Sequence, residues 1–195
     1  MSFDVLQEKI REKKNPTVAG LDARIEYVPE YIRKEAFEKY GVGLKGAVEA
    51  IWQFNVGLID ALCDIVPAVK PQAAYYENLG WQGMEMLERT IRYAKEKGLF
   101  VIADIKRGDI AKTAEMYAKA HFTGDFEADI ITLAPYMGLD SISPYLRTAP
   151  SRARACSCSA APPTPARRTL STKKLDDGRH VYDLVGDSLT ALGKD

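Results

Sequence analysis

The chain has 195 residues, 46% of them hydrophobic and 28% charged, and its 27 Lys and Arg balance 27 Asp and Glu to a formal net charge of zero. That length buries a real core in one domain, or a domain with an appendage, and the balanced charge lacks the basic footprint of a nucleic-acid binder. No window holds the ~18 apolar residues of a membrane span, the charged opening M-S-F-D-V-L-Q-E-K-I lacks the apolar core of a secretory signal, and three cysteines make no disulfide framework, so the chain reads as a soluble cytoplasmic protein.

Phe3, Leu6 and Ile10 recur at helical spacing and predict a helix over 3–13, ended by Asn15-Pro16. T-V-A-G-L-D, 17–22, is a short buried strand. A polar helical stretch follows over 29–40. A longer one over 44–65 carries apolar Val48, Ile51, Val56, Ile59 and Leu62. P-A-V-K-P-Q, 67–72, is the second strand. Residues 79–97 are helical, with Met84, Leu87, Ile91 and Ala94 on one face, and Gly98 is placed to cap them. L-F-V-I-A-D, 99–104, is the third strand, 111–122 the third crossover helix, and A-D-I-I-T-L-A-P, 128–135, the fourth strand.

Strand and helix therefore alternate, with connections long enough for βαβ crossovers. The strands are continuous apolar runs, which suits a parallel sheet covered on both faces. Two α/β architectures fit, a (βα)8 barrel and an open doubly wound sheet. No G-x-G-x-x-G follows the first strand, which weakens the dinucleotide-binding version of the second.

In both architectures the active site lies at the C-terminal ends of the strands. The sequence puts Asp22 at the end of the first strand, Lys70 at the end of the second, and Asp104 and Lys106 at the end of the third. Positions 104 and 106 point the same way if the strand persists that far. Asp109 and Thr113 are four apart near the start of the next helix and share a face there; Asp109 also reads as an N-terminal cap. One such charge alone reads as a solvated loop residue, but four charges at three successive strand ends form a set. Grouped Lys and Asp hold each other ionised and meet a substrate with fixed charge. The set has no Cys or His suited to zinc, and Mg²⁺ is disfavoured rather than excluded.

At these residues a resemblance becomes specific. D-I-K-R-G-D-I-A-K-T, 104–113, matches the D-x-K-x-x-D-I-x-x-T signature of the orotidine 5′-phosphate decarboxylase family. V-A-G-L-D and V-K-P-Q resemble that family's first two strand ends in its longer bacterial branch, and T-L-A-P-Y-M-G-L-D-S resembles its fourth-strand segment. The likeness covers 1–146 and resumes over 174–195. The D-x-K-x-x-D triplet alone also occurs in sugar-phosphate relatives of the same superfamily.

The resemblance implies a (βα)8 TIM barrel and a cofactor-free decarboxylation of orotidine 5′-phosphate to UMP and CO2, in de novo pyrimidine biosynthesis. By the family pattern Lys106 donates a proton to the C6 carbanion, Asp104 lies against the substrate carboxylate, Lys70 joins the charge network and contacts the ribose, and Asp22 holds the sugar. The family's second aspartate and its threonine reach across a dimer interface. That implies a homodimer in which Asp109 and Thr113 serve the neighbouring site and Ile110 lines it. The alternatives are a Mg²⁺-dependent sugar-phosphate aldolase or decarboxylase of the same superfamily, and an inactive truncated fragment that at most dimerises through 109–113.

After Tyr145 the text changes character. Residues 147–170 are almost all Arg, Ala, Pro, Ser, Thr and Cys, without strand periodicity and with prolines that deny ladder donors. The family pattern expects a fifth strand here, ending in a T-S-N-P-G type loop, and T-P-A-R looks like such a stretch read one nucleotide out of frame. The segment reads as a local, compensated frameshift, with a disordered Pro-rich basic insert as the rival. The expected organisation is 1–146 as the N-terminal part of a barrel with the catalytic strand ends, 147–173 as an irregular segment, and 174–195 as a remnant helix. A full barrel takes about 250 residues, so the last three strands, a Gly-rich phosphate loop and a phosphate-gripping Arg are expected beyond residue 195. Cys156-x-Cys158 raises metal or redox chemistry but lacks a second ligand pair. His121 and His180 read as surface or capping residues, Trp52 and Trp81 as core or interface, and Tyr75-Tyr76 as pocket lining or packing.

Overall fold

The computed structural model describes residues 2–148, 155–158 and 171–193. The apolar runs form the strands: β1 (Val18–Leu21), β2 (Ala68–Pro71), β3 (Phe100–Arg107), β4 (Ile130–Leu133) and β5 (Ala155–Cys158). The 3.6-period segments form the helices: α1 (Ser2–Lys13), α2 (Glu30–Tyr40), α3 (Leu44–Leu62), α4 (Ala73–Glu77), α5 (Gly80–Glu96), α6 (Ala111–Phe122), α7 (Ser143–Thr148) and α8 (Val181–Leu192). Among the described residues no helix is long and apolar enough to cross a membrane.

Every strand pair is parallel, and the sheet order is β1-β2-β3-β4-β5. This order separates the two architectures. A doubly wound sheet reverses direction and buries its first strand in the middle. Here each strand adds beside the one before it, the winding of a βα barrel. Among the described residues the fold is an α/β incomplete barrel of five successive strands.

The core lies between sheet and helices. Val69, Val101, Ala103, Ile131 and Leu133 from the strands pack with Val48, Ile51 and Ile59 of α3 and Met86, Leu87 and Ile91 of α5, all buried. One polar network crosses this core. Asn55 of α3 donates to the Tyr76 hydroxyl (3.1 Å) and to Thr90 Oγ1 (3.3 Å), while Tyr76 donates to the Leu21 carbonyl (3.0 Å). A buried hydroxyl needs such partners. Tyr76 is therefore a packing residue, and it pins α3, α4 and α5 to the end of β1, beside Asp22.

Several features depart from the periodicity. The short α4 was invisible because A-A-Y-Y-E is too brief to show a period; the Gln72 side chain caps it by accepting from the Ala74 N–H. Strand β3 runs three residues further than its apolar run, to Arg107. Its register jumps there: Ala103 faces Ile131 and Arg107 faces Leu133, so four steps on β3 match two on β4. Lys106 sits in this bulge with φ +46°, a left-handed backbone.

The segment expected to lack strand character contains β5. Ala155 to Cys158 pair residue by residue with Ile130 to Leu133. The four residues A-C-S-C hold no proline, and the edge of β4 supplies the backbone partners that a short polar-looking run could not announce. Residues 149–154 and 159–170, on which the frameshift reading chiefly rests, lie outside the described residues. His180 is the N-cap of α8 in a reciprocal capping box with Asp183, the capping role expected. His121, by contrast, is not a surface residue but is 5% exposed, because α6 turns that face inward, with the ring 6.0 Å from that of Phe126. Trp52 is half-buried against Tyr93 and under Arg89, whereas Trp81 is 72% exposed and outside the core.

Helix α5 closes tightly onto α4 at Gly83. A Cβ there would stand 2.0 Å from the Tyr76 carbonyl oxygen and 2.6 Å from Leu79 Cβ. Replacing Gly83 by Ala is expected to cost about 1–3 kcal/mol by overpacking, read as a lowered urea midpoint; an unchanged midpoint would mean that the α4–α5 junction is loose.

Candidate active site

Strands β2 and β3 bring their C-terminal ends side by side. Val69 pairs with Val101, and a further bridge joins Gln72 to Asp104. That register sets Gln72 across from Asp104, with Lys70 two residues back on the same face of the strand. The Asp104 side chain is only 7% exposed, and both of its oxygens are fully engaged. Oδ2 accepts from Lys70 Nζ at 2.7 Å and Gln72 Nε2 at 3.1 Å. Oδ1 accepts from Lys106 Nζ at 2.5 Å and Thr132 Oγ1 at 2.7 Å. Two ammonium groups and two neutral donors thus converge on one carboxylate from three neighbouring strands.

Burial by itself would push the Asp104 carboxyl up. The hydrogen bonds from Lys106, Lys70 and Thr132 outweigh it and hold the group at about 2, below its ordinary 3.8. The carboxylate is permanently ionised near neutrality. The ammonium groups are less enclosed: Lys70 is 35% and Lys106 55% exposed at the side chain. The cluster is an anion with its back in the protein and two cations turned toward the strand-end opening. Such an arrangement stabilises negative charge developing on a bound group.

Asp22 stands one residue beyond β1 and is exposed; among the described residues its carboxylate makes no hydrogen bond or ion pair. Asp109 is half-buried, and its Oδ1 accepts the Ile110 N–H at 2.8 Å. It is not the helix cap, since Ile110 holds that position without a side-chain bond. Ile110 and Thr113 are exposed. Among the described residues no hydrogen bond or ion pair joins Asp109, Ile110 or Thr113 to the Asp104 cluster. The fold therefore gathers Lys70, Asp104 and Lys106 into one hydrogen-bonded cluster, to which, among the described residues, Asp22, Asp109, Ile110 and Thr113 make no hydrogen bond or ion pair.

Two members were missed by the sequence reading. Gln72 was visible as the last letter of V-K-P-Q, but an amide at a strand end carries no charge signal. Thr132 was the one polar residue in I-I-T-L, where a β-branched residue reads as an ordinary strand former. Arg107, one residue past Lys106, pairs with Glu77 of α4 and lies over the Tyr117 ring of α6 at 5.4 Å, bracing the β3 end from both sides. Behind it, burial first and Arg107 second push His121 down to about 4, so this imidazole is neutral at pH 7.

Among the described residues no group of three or more His, Cys, Asp or Glu is gathered to hold a metal ion. Cys156 and Cys158 sit on β5, and burial pushes their thiols up to about 12 and about 11. Neither has the low-pKa thiolate character that metal binding or redox reactivity draws on.

The model of the orotidine 5′-phosphate decarboxylase / HUMPS family matches residues 50–165, the stretch that holds Lys70, Asp104 and Lys106. The chain belongs to this family. It is 42% identical over 194 residues to the orotidine 5′-phosphate decarboxylase of Clostridium perfringens strain SM101, covering all of this chain and 64% of the relative. It is 44% identical to that of Clostridium acetobutylicum, covering 65% of it. The structure of Leishmania donovani OMP decarboxylase superposes with a TM-score of 0.73 at 29% identity, over 96% of this chain and 64% of that one. The chain thus spans slightly less than two thirds of these family members.

The depressed Asp104 carboxyl makes stability pH-dependent in a defined sense. Its folded value lies below the unfolded one, so the stabilisation is fully present above about pH 4 and is lost as pH falls through about 2. The shift corresponds to about 2 kcal/mol. Urea unfolding measured between those limits is expected to show this acid loss in the wild type and a flatter profile in Asp104→Asn; equal slopes would place the carboxylate outside the stabilising network.

Proposed function

We propose that the strand ends of this chain decarboxylate orotidine 5′-phosphate to UMP and CO2, without a metal or organic cofactor. The observation that carries this reading is the buried Asp104 carboxylate with Lys70 and Lys106 on its two oxygens. When the bond from C6 to the carboxylate breaks, CO2 departs and its bonding pair stays on C6. No electron sink is at hand, so a fixed ammonium contributes most in the transition state. Lys106 gives a proton from Nζ to C6 and is left as a neutral amine. Asp104 lies against the departing carboxylate, Lys70 steadies Asp104 and contacts the ribose, and Asp22, one residue beyond β1, holds the sugar.

Asp109, Ile110 and Thr113 complete the site of a second copy in a homodimer. Support for this comes from their position, Asp109 and Ile110 between β3 and α6 and Thr113 in the first turn of α6, where Ile110 is 49% exposed and so is available to a partner. The relatives named as decarboxylases at about two-fifths identity favour this chemistry over the sugar-phosphate reading within the same superfamily.

Turnover of orotidine 5′-phosphate, followed by ultraviolet absorbance, tests the reading. The wild type is expected to turn over, and Lys106→Ala to fall by several orders of magnitude, since both proton delivery and charge stabilisation are lost. Excess chelator should leave the rate unchanged. No wild-type turnover would favour an inactive fragment, and chelator sensitivity the Mg²⁺-dependent reading. Mixing inactive Lys106→Ala with inactive Asp109→Ala should restore part of the rate, because one site of each mixed dimer keeps both groups; a mixture as inactive as its components would remove the cross-subunit role.

A further inference from the structure

We propose that Thr132 is a positioning residue that couples the Lys106 main chain to the Asp104 carboxylate and keeps that carboxylate ionised when Lys106 has given up its proton. The idea rests on the decarboxylase reading for its catalytic consequence, but its geometry stands independently.

Lys106 occupies a left-handed backbone conformation, φ +46°, inside the β3 bulge. A residue with a Cβ is disfavoured there and persists only where its surroundings hold it. The Lys106 N–H donates to Thr132 Oγ1 at 3.0 Å. The same hydroxyl donates to Asp104 Oδ1 at 2.7 Å. Accepting from the main chain fixes the direction of the hydroxyl proton, because the one oxygen cannot use that side for donation. One side chain on β4 thereby ties together the backbone that aims the ammonium and the carboxylate that the ammonium touches.

The donors around Asp104 make the consequence specific. Lys70 of β2 and Gln72 hold Oδ2, and Lys106 and Thr132 hold Oδ1; the other charged groups at these strand ends include Asp22 beyond β1, Asp109 beyond β3, and Arg107 paired with Glu77. Once Lys106 is a neutral amine, its charge-assisted bond to Oδ1 weakens. Thr132 is then the donor that remains on that oxygen, while Lys70 still holds the other. Without it, a carboxylate that is nearly fully buried loses support on one side at the moment it is needed.

Thr132→Val removes the hydroxyl at nearly constant shape, Thr132→Ala removes it with less bulk, and Thr132→Ser keeps it. Two readouts do not require turnover. The midpoint of the Asp104 carboxyl carbon, followed by NMR, is expected to rise by about one pH unit or more in Val and Ala. Exchange of the Lys106 amide hydrogen is expected to accelerate by about tenfold or more with its acceptor gone. Serine should return both to wild-type values. In active protein the same variants should lower kcat with little change in KM. The proposal is overturned if a folded Val or Ala variant, melting as the wild type does, leaves both the Asp104 midpoint and the Lys106 amide unchanged, or if Ser fails to restore them. An inactive wild type would sink the decarboxylase reading while leaving the two NMR outcomes to decide this one.

Discussion

Asp104 is a carboxylate with almost no access to water, and nearly everything of interest in this fold follows from keeping it charged. Desolvation works against the anion, and a single surface-type ion pair would not offset it. The fold answers with four donors, two of them cationic, drawn from β2, β3 and β4. That demands a parallel sheet in which three consecutive strands end together. It also demands that β3 continue past its apolar run and bulge, so that Lys106 returns to the carboxylate two residues behind it. The supporting shell is equally directed. Tyr76, Asn55 and Thr90 lock the helices behind β1 and β2, and Arg107 with Glu77 braces the far side of β3.

The same arrangement explains why the charges are asymmetric in exposure. The anion is buried and its two cations are partly open, so the cluster of Lys70, Asp104 and Lys106 carries one net positive charge although the chain as a whole is neutral. Two partly open ammonium groups backed by a buried carboxylate suit an anionic small molecule. That is the electrostatic content of the proposed decarboxylation, in which the charge to be stabilised appears on one carbon and then disappears as a proton arrives.

Much of this was legible in the sequence. Alternating apolar runs and helical periods gave a parallel α/β fold, and the charges at positions 70, 104 and 106 marked the strand ends that the fold brings together. What stayed hidden was hidden for physical reasons. A bulge leaves no periodicity, so the left-handed Lys106 could not be foreseen. Gln72 and Thr132 act through neutral hydrogen bonds, which composition does not flag. β5 is four residues long and owes its existence to the edge of β4, a tertiary cause that a local pattern cannot express. His121 looked like surface because a single imidazole carries no burial signal; only the tertiary packing around α6 reveals it.

The most direct measurement is a crystal structure of this protein with UMP bound. The pyrimidine ring is expected over the Lys70–Asp104–Lys106 cluster, with Lys106 Nζ within hydrogen-bonding reach of C6 and the ribose directed toward Lys70 and Asp22. A nucleotide bound elsewhere, or one whose C6 faces away from Lys106, would contradict it.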